Sequence, residues 1–429
     1  MKATHFLVGL ITFSALLLSA VFPLNAKGST DNQSPRRHSS RTSTNSQGAT
    51  TVTLKHIYHH GSSRFPNLIR RKDINEDSLR ARELASDMTF THTVKAINGT
   101  NVKPSNKHSV EEFQEKSKNE QISLIMDWED TPTLLPQVSD WDTVRSLAKM
   151  TYNAYTEEKD GDWYDLGESY DWNISFGWDK EGVRGHVFGD TNNDLLIISI
   201  KGTSMGFGAG PTVPNDKVND NLLFSCCCAR VDPTWSTVCD CHLGNFKCNL
   251  DCLQDSVDMR DKYYTVTRNL FKFIADEHPK AKIWLTGHSL GGALSGLVGL
   301  TYGIPVVAFE APGERLPARR LHLPGPPAIP YDKMNIWHIG HSADPIFMGG
   351  VTSSCYAGGY AMETKCHLGK SSVFDVIDKF KWHLNIQNHR IRVVIDSILY
   401  KWDWEFPEYS VEEDCEDCGV WTFVEDNNT

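Results

Sequence analysis

A serine between glycines, in the motif Gly287-His288-Ser289-Leu290-Gly291, limits the possible folds of this chain more than any other part of its sequence. Residues 281–286 before it predict a buried strand, and residues 292–298 after it predict a helix. A strand that turns sharply into a helix raises the hydroxyl of the central serine at the edge of a sheet, and glycines are needed there because side chains would collide. The bare pattern is common by chance, but this setting favours a nucleophile elbow over a glycine-rich turn.

The surrounding chain alternates between apolar runs typical of strands and segments with helical spacing. Residues 195–200 form an apolar run, as expected for a central strand buried on both faces. Further strands are predicted at residues 183–188, 304–309 and 334–339. Helices are predicted at residues 139–155, 257–276, 371–382 and 390–402. The alternation across residues 139–402 predicts one α/β domain.

A serine hydroxyl is a weak nucleophile until a base takes its proton, so Ser289 needs a histidine, and that histidine needs a carboxylate to orient it. In α/β-hydrolases the three residues follow in the order serine, acid, histidine. Asp344 comes just after the predicted strand 334–339, in a loop that would face the elbow, and we predict it as the acid. The rival carboxylates are Glu310, Glu314, Asp332, Asp375 and Asp378.

Two histidines late in the chain, His383 and His389, are the candidates for the base. We predict His389, because it stands at the junction before the predicted helix 390–402, where a loop can present it over the sheet. His383 remains the alternative. Whichever of the two is not the base is expected to be a surface histidine.

Ester hydrolysis passes through an intermediate with a negatively charged oxygen, which needs N–H donors that are already in place. The backbone N–H of Leu290, directly after Ser289, is the first predicted donor. The second should come from the loop after an earlier central strand, where Gly202-Thr203 follows residues 195–200. The Thr203 hydroxyl is a candidate for an additional donor, and a plain turn is the alternative for this loop.

The N-terminal region contains an uncharged run of 19 residues, at positions 6–24. This length is sufficient to cross a bilayer, so residues 1–27 are interpreted as a signal anchor. A cleaved signal peptide, cut near Leu24-Asn25-Ala26, is the alternative. The basic residues that follow the run outnumber Lys2 before it, which does not support the anchored orientation. Both interpretations place the rest of the chain in the secretory pathway.

The eleven cysteines fall into three groups, at residues 226–252, 355–366 and 415–418. In an exported chain such groups predict disulfides, and the odd number leaves at least one thiol unpaired. The alternative is zinc, with ligands from Cys239-Asp240-Cys241-His242 and from the pair that begins at Cys415. Four Asn-x-Ser/Thr sequons are candidate glycosylation sites. They are Asn32, Asn98, Asn173 and Asn427.

Composition divides the chain into successive parts. Residues 28–51 are rich in polar residues and predict a flexible stalk. Residues 52–136 are interpreted as an N-terminal lumenal extension, and residues 137–429 as a hydrolase domain with a cysteine-rich insertion at 205–255. The histidines of His56-Ile57-Tyr58-His59-His60-Gly61 invite a metal hypothesis, but we favour hydrogen-bonded histidines on a strand or loop. The formal charge of -11 gives no cationic surface for nucleic acid.

Several of these motifs resemble the fungal-type, class-three triacylglycerol lipases. Residues 283–294 are similar to the nucleophile elbow of that family, Lys201-Gly202-Thr203 to its oxyanion loop, and Asp344-Pro345 to its acid. The resemblance extends to one branch, the autophagy-related fungal vacuolar lipases. It rests there on the histidine-rich segment 56–61, on Cys226-Cys227-Cys228, on Phe309-Glu310-Ala311-Pro312-Gly313 and on the N-terminal anchor.

The resemblance implies an α/β-hydrolase of the class-three lipase type, with Ser289 as nucleophile, Asp344 as acid and His389 as base. It also implies a type II membrane protein that travels by the endosomal route to the vacuole, where it breaks down autophagic bodies and multivesicular-body vesicles. Class-three lipases carry a helical lid after the oxyanion strand. The cysteine-rich region at this place in the chain differs from that pattern.

The sequence therefore predicts a membrane-anchored lumenal serine lipase or phospholipase that acts on phospholipid or acylglycerol membranes and needs no metal or organic cofactor. Two alternatives stay open. One is a catalytically silent hydrolase fold that binds membranes. The other is an esterase or transacylase of small soluble substrates, because a nucleophile elbow does not specify acyl chain length.

Overall fold

The structure, a computed structural model, describes most of the chain after residue 45. The described residues are 46–62, 65–86, 88–104, 110, 112, 114–116, 128–155, 164–165, 182–204, 213–228, 236–259, 261–350 and 359–425. The predicted anchor at residues 6–24 lies outside them, as do Asn32, Asn173 and Asn427. Among the residues in these ranges, none belongs to a helix with both the length and the apolar character needed to cross a bilayer.

The secondary structure alternates along the second half of the chain and is mainly extended in the first. The strands are β1 (Ser46–Ser62), β2 (Phe65–Asp73), β3 (Thr91–Pro104), β4 (Trp128–Pro136), β5 (Tyr164–Asp165), β6 (Arg184–Gly189), β7 (Leu195–Ile200), β8 (His242–Gly244), β9 (Lys247–Asn249), β10 (Lys282–His288), β11 (Val306–Phe309), β12 (Ile336–His341), β13 (Lys370–Phe374) and β14 (Thr422–Val424). The α-helices are α1 (Glu76–Ser86), α2 (Trp141–Asn153), α3 (Val213–Phe224), α4 (Leu250–Val257), α5 (Tyr263–Glu277), α6 (Leu290–Tyr302), α7 (Arg315–Arg320), α8 (Val376–Phe380) and α9 (Ile391–Val393). Short 3-10 helices cover Tyr331–Lys333 and Ile386–His389, and α9 continues into a π-helix, Val394–Leu399.

One large mixed sheet organises the molecule, with the strand order β13-β12-β11-β10-β7-β6-β1-β2-β5. The strands from β13 to β7 run parallel to one another, whereas β6 and the N-terminal strands pair antiparallel. Connected parallel strands end at the same edge of a sheet, and ligands of open α/β sheets bind outside that edge. The loops after β7, β10, β11 and β12 therefore meet on one side of the protein.

Alternating side chains of the central strands enter two hydrophobic cores, one on each face of the sheet. On β7, Leu196 and Ile198 belong to the core that includes Leu294 of α6, whereas Ile197 belongs to the core that includes Leu147 of α2. β7 and the last six residues of β10 are buried. This confirms the prediction of an α/β fold with residues 195–200 as a central strand.

The antiparallel half of the sheet corrects two expected boundaries. Residues 46–51, expected to belong to the stalk, form the start of β1, which pairs with β3 and β6. Residues 52–136, expected to be an extension, supply most of β1 and all of β2 to β4 of the same sheet, and the described residues belong to one compact unit. The polar sequence at 46–51 fits a strand because its partners come from distant parts of the chain, which local composition does not reveal.

Two predicted helices also need correction. The segment 371–382 contains the end of β13 followed by the short helix α8. β13 pairs parallel with β12 at the edge of the sheet, so tertiary pairing overrides the helical spacing of its apolar residues. The helix predicted at 257–276 begins instead at Tyr263, because α4 ends at Val257 and a turn separates the two.

Five disulfides hold the cysteine-rich region and the C-terminal segment, and they confirm the prediction of disulfides. Three close short loops within residues 227–252, linking Cys227 to Cys248, Cys228 to Cys239 and Cys241 to Cys252. The other two bind the C-terminal segment to the body of the protein, linking Cys226 to Cys418 and Cys366 to Cys415. Cys355 lies outside the described residues.

The histidines of segment 56–61 lie on β1. His59 and His60 are neighbours in this strand and therefore point to opposite faces of the sheet. His56 Nδ1 is hydrogen-bonded to the carboxylate of Asp73 at 2.7 Å. The placement on a strand agrees with the hydrogen-bonded interpretation of these histidines.

An ion pair between the buried His367 and the half-buried Glu412 fixes the C-terminal segment near Cys366. His367 Nδ1 contacts Glu412 Oε1 at 2.8 Å, and its Nε2 contacts the carbonyl oxygen of Ala311 at 2.9 Å. Both partners accept hydrogen bonds, so both ring nitrogens carry protons and the imidazole is charged. Burial opposes this charge, but the carboxylate of Glu412 raises the pKa of His367. In turn, although burial acts to raise it, the pKa of Glu412 is lowered to about 2 by His367.

We expect the stability contributed by this pair to peak in mildly acidic solution. The Glu412 contribution is present above its ordinary pKa of 4.5 and is lost as the pH falls toward about 2. The His367 contribution is present below its ordinary pKa of 6.5 and is lost as the pH rises through its raised value. Glu412→Gln should therefore reduce the free energy of unfolding by about 1–3 kcal/mol near pH 5.5. Denaturant unfolding at pH 5.5 and pH 9 measures this, and an equal loss at both values would contradict the assignment.

Candidate active site

The sharp turn between β10 and α6 holds Ser289 in a strained backbone conformation. Its φ of 57° and ψ of -131° lie outside the regions that non-glycine residues prefer, at a cost of about 1–3 kcal/mol. Gly287 and Gly291 face each other across the turn, and a side chain on Gly287 would overlap the Gly291 carbonyl group. The local sequence therefore folds as the predicted elbow.

Ser289, His389 and Asp344 form a continuous hydrogen-bond chain. His389 Nε2 lies 2.8 Å from Ser289 Oγ, and His389 Nδ1 lies 2.6 Å from Asp344 Oδ2. All three residues are buried. These distances match the geometry of a Ser-His-Asp triad.

Neighbouring loops at one sheet edge bring these residues together. Asp344 lies three residues beyond the end of β12, and its Oδ1 accepts a hydrogen bond from the Ile346 N–H at 2.8 Å. His389 is the last residue of the 3-10 helix Ile386–His389. Asn385, just before that helix, donates its N–H to the Ala343 carbonyl oxygen, so the two loops are tied to each other.

Electrostatic interactions among Ser289, His389 and Asp344 determine which of their atoms carry protons. Burial alone would raise the pKa of Asp344, but the adjacent His389 holds it well below its ordinary value by charge and by hydrogen bonding. Asp344 is therefore ionised and accepts a hydrogen bond from His389 Nδ1–H. In the neutral form of the His389 ring, this proton on Nδ1 leaves the lone pair of Nε2 directed at the Ser289 hydroxyl, as a general base requires.

Two residues without a predicted role, His288 and Tyr155, hold His389 in place through its backbone carbonyl group. His288 Nε2 lies 2.7 Å from the carbonyl oxygen of His389, so this nitrogen carries the proton and donates it. Its Nδ1 accepts a hydrogen bond from the Tyr155 hydroxyl at 2.7 Å. Burial lowers the pKa of His288 to about 3, so the ring is neutral. In the sequence, His288 is marked only by its place before Ser289, and Tyr155 only by its place at the end of the helical pattern at 139–155.

The predicted oxyanion loop packs directly against the elbow. Gly202 follows β7, and a Cβ atom at this position would lie 3.2 Å from Ser289 Cβ and would collide with the His288 carbonyl oxygen. Leu290 begins α6, where the first N–H groups of a helix have no acceptor within the helix. The loop after β7 and the first turn of α6 therefore both lie beside Ser289.

The Thr203 hydroxyl has a different partner from the one expected. Its Oγ1 lies 2.7 Å from Asp220 Oδ2, on helix α3, instead of being free for a substrate oxygen. Burial raises the pKa of Asp220 to about 8, so this carboxyl is mainly protonated in neutral and acidic solution. The contact fixes the oxyanion loop to α3 through the side chain of Thr203.

Loss of the Thr203 hydroxyl should weaken this anchoring and lower kcat by about 10- to 100-fold, below the loss typical for a whole oxyanion donor. Thr203→Val has nearly the same shape but no hydroxyl, whereas Thr203→Ser keeps the hydroxyl and serves as the matched variant. We expect the serine variant to retain most of the activity. Initial rates of hydrolysis of a soluble ester test this prediction. A valine variant as active as the wild type would contradict the role of the Thr203 hydroxyl in holding the oxyanion loop.

The other candidate residues have separate environments. Glu310 is buried beside Asp344, whereas Glu314 is buried with its Oε1 3.4 Å from His338 Nε2. His383 is exposed. The remaining rival carboxylates are also exposed, namely Asp332, Asp375 and Asp378.

Two groups of described residues bring three possible metal-ligand atoms close together. Cys228, Cys239 and Cys241 form one group, but their sulfur atoms are in disulfides. Glu310, His341 and Asp344 form the other. His341 and Asp344 of that group already make hydrogen bonds within the protein.

Comparisons with known proteins identify the family. A family model described as lipase (class 3) matches residues 230–304. The chain is 42% identical to "Putative lipase ATG15" of Yarrowia lipolytica, over 88% of this chain and 74% of that protein. The chain belongs to the ATG15 lipase family. A protein of the same name from Pichia angusta is 48% identical over 70% of this chain and 58% of its own length.

Membership of the ATG15 lipase family, together with the hydrogen-bond chain at Ser289, makes this protein a carboxylic ester hydrolase of the lipase type with an α/β-hydrolase fold. The chain spans less than the full length of either relative. Among solved structures, Lip2 lipase from Yarrowia lipolytica is 15% identical over 45% of this chain and 61% of that chain, with a TM-score of 0.23. The fold assignment rests on the sheet order and the family, not on this low score.

Proposed function

We propose that the protein hydrolyses the acyl esters of membrane lipids through a covalent acyl-enzyme on Ser289. His389 Nε2 takes the hydroxyl proton as Ser289 Oγ attacks the ester carbonyl carbon, and Asp344 stabilises the imidazolium that forms. The hydrogen-bond chain through these three side chains is the observation that carries the proposal.

The remaining steps use the same groups in reverse. The backbone N–H groups of Leu290 and Thr203 hold the negatively charged oxygen of each tetrahedral intermediate. The imidazolium of His389 gives its proton to the leaving alcohol oxygen, and a water molecule then attacks the acyl-enzyme with His389 again as base. The fatty acid leaves and Ser289 regains its proton.

Apolar side chains beside the site support a lipid substrate. Met348 and Leu384 are 42% and 45% exposed, and they lie on the loops that carry Asp344 and His389. Leu384 also packs near Gly350, where a Cβ atom would be 3.3 Å from its Cδ2 atom. An acidic protein gains little from anionic headgroups, so contact with a membrane should depend mainly on such apolar residues.

The cellular setting is also part of the proposal. The resemblance to autophagy-related vacuolar lipases and the uncharged run at 6–24 favour a type II protein of the multivesicular-body membrane with its catalytic domain in the lumen. Its task would be the breakdown of autophagic bodies and multivesicular-body vesicles in the vacuole. Exposed Asn98 on β3 is then available for glycosylation.

Assays on substrates in different physical states test the proposed function. The full chain is incubated with phosphatidylcholine–phosphatidylserine vesicles and, separately, with a soluble short-chain ester, at acidic and neutral pH. We expect fatty-acid release per enzyme to rise sharply on vesicles. Hydrolysis of the soluble ester alone would indicate a small-ester esterase, and vesicle binding without hydrolysis would indicate a silent membrane-binding protein.

A further inference from the structure

A second buried carboxyl group, that of Glu310, lies next to the acid of the site. Glu310 follows β11 immediately and is fully buried. Its φ of 45° lies in the left-handed region, which a non-glycine residue occupies at a cost of about 1–3 kcal/mol. Its own N–H donates to the Ile339 carbonyl oxygen on β12 at 2.9 Å. A strained backbone and a buried acid at the same residue point to a role beyond packing.

The contacts of Glu310 give it no positive partner. Its Oε2 accepts a hydrogen bond from the His341 N–H at 3.3 Å. Its Oε1 has no hydrogen-bonding donor among the residues that the structure describes. Atoms of Glu310, His341 and Asp344 lie within 4.8 Å of one another, so Asp344 is the nearby acceptor.

The neighbouring imidazole of His341 does not neutralise Glu310. His341 Nε2 lies 3.8 Å from Glu310 Oε1, but it is 3.1 Å from the carbonyl oxygen of Asn388 and donates its proton there. His341 Nδ1 accepts a hydrogen bond from the Ala343 N–H at 3.2 Å. The ring therefore has one proton, already used, and is neutral.

Two carboxyl groups this close cannot both be charged in a buried site. Asp344 has His389 Nδ1–H and the Ile346 N–H as partners, so it keeps the negative charge. Burial and the charge of Asp344 raise the pKa of Glu310 well above its ordinary value. Glu310 is thus a neutral acid, and a proton on its unpartnered Oε1 can reach Asp344.

We propose that Glu310 is a positioning residue that donates a hydrogen bond from its protonated carboxyl to Asp344. The proposal rests on the roles proposed above for Ser289, His389 and Asp344. Asp344 then accepts hydrogen bonds from three groups, which fix its orientation and make its carboxylate a weaker base. With its orientation fixed, Asp344 holds His389 Nδ1–H in place, which keeps His389 Nε2 aligned with the Ser289 hydroxyl.

Two variants of Glu310 separate this role from simple packing. Glu310→Gln keeps an N–H donor in nearly the same shape, whereas Glu310→Leu fills the space without a donor. We expect the leucine variant to lose about 10- to 100-fold in kcat with little change in KM, the loss typical of a hydrogen bond to a charged group. The acid limb of its pH–rate profile should also move to higher pH, since Asp344 becomes a stronger base when it loses this donor. The glutamine variant should retain most of the activity and keep the acid limb in place.

The measurements are pH–rate profiles on a soluble ester between pH 4 and 8, together with thermal unfolding of each variant. Glu314→Leu is the control, because it removes a buried carboxyl four residues away that lies beside His338. It should lower stability without moving the acid limb. A glutamine variant as impaired as the leucine variant, or a leucine variant with an unchanged acid limb, would overturn the proposal. Failure of the proposed function is seen separately, as activity that survives Ser289→Ala.

Discussion

Ser289→Ala should lower kcat for ester hydrolysis by about a million-fold, because removal of the nucleophile of a triad costs nearly all of its catalysis. The expected loss follows from the contact of Ser289 Oγ with His389 Nε2 at 2.8 Å. The substitution removes one side-chain oxygen and leaves the strained backbone as it is, so folding should be unaffected. Activity is measured on a soluble ester, and folding by circular dichroism.

Ser295 provides a matched control for this variant. It is a buried serine on the same helix, and its Oγ is hydrogen-bonded to the carbonyl oxygens of Thr286 and Gly291. Ser295→Ala removes an equivalent oxygen without touching His389, so its activity should stay within a few fold of the wild type. If Ser289→Ala kept a measurable fraction of the activity, the covalent mechanism would have to be abandoned.

The second large effect is expected at His389, with His383 as the internal comparison. His389→Ala removes the proton acceptor of Ser289 and should lower kcat by about 10⁴- to 10⁶-fold. His383→Ala changes an exposed histidine six residues earlier and should leave kcat close to that of the wild type. Rates for both variants on one soluble ester decide between them. Equal losses, or a larger loss at His383, would show that the base has been assigned to the wrong residue.

Local sequence predicted the nucleophile elbow because all of its determinants are adjacent. Gly287 and Gly291 face each other across the turn. Residues 287–291 therefore contain both the turn and the glycines that permit it. The order of serine, acid and histidine along the chain then narrowed the candidates to a few loops. The strands β7, β10, β11 and β12 were recognisable because strands buried on both faces are rich in apolar residues.

The sequence does not show which of several carboxylates on separate loops is the catalytic acid. Glu310 and Asp344 follow neighbouring parallel strands, β11 and β12, so both reach the same sheet edge. Their contacts in the structure distinguish the two carboxyl groups. Asp344 Oδ2 lies 2.6 Å from His389 Nδ1, whereas Glu310 lies beside Asp344. The role of His288 was missed for the same reason, since its partner is the backbone carbonyl of a residue about one hundred positions away.

Pairings that depend on the whole fold were beyond the reach of the sequence. Cys415 and Cys418 are three residues apart but join Cys366 and Cys226 respectively. β1 was not recognised as a central strand, because its partners β2, β3 and β6 lie on separate segments of the chain. Strand propensity is weak when the stabilising contacts come from such distant partners.

Reaction with a fluorophosphonate probe, followed by mapping of the labelled peptide, tests the activated serine most directly. Such probes react with a serine only when a base has activated it, so labelling does not depend on choosing the correct lipid. We expect label on Ser289 in the wild type and in His383→Ala, and none in Ser289→Ala or His389→Ala. Label on another residue, or labelling of His389→Ala at the wild-type rate, would contradict the assignment of the site.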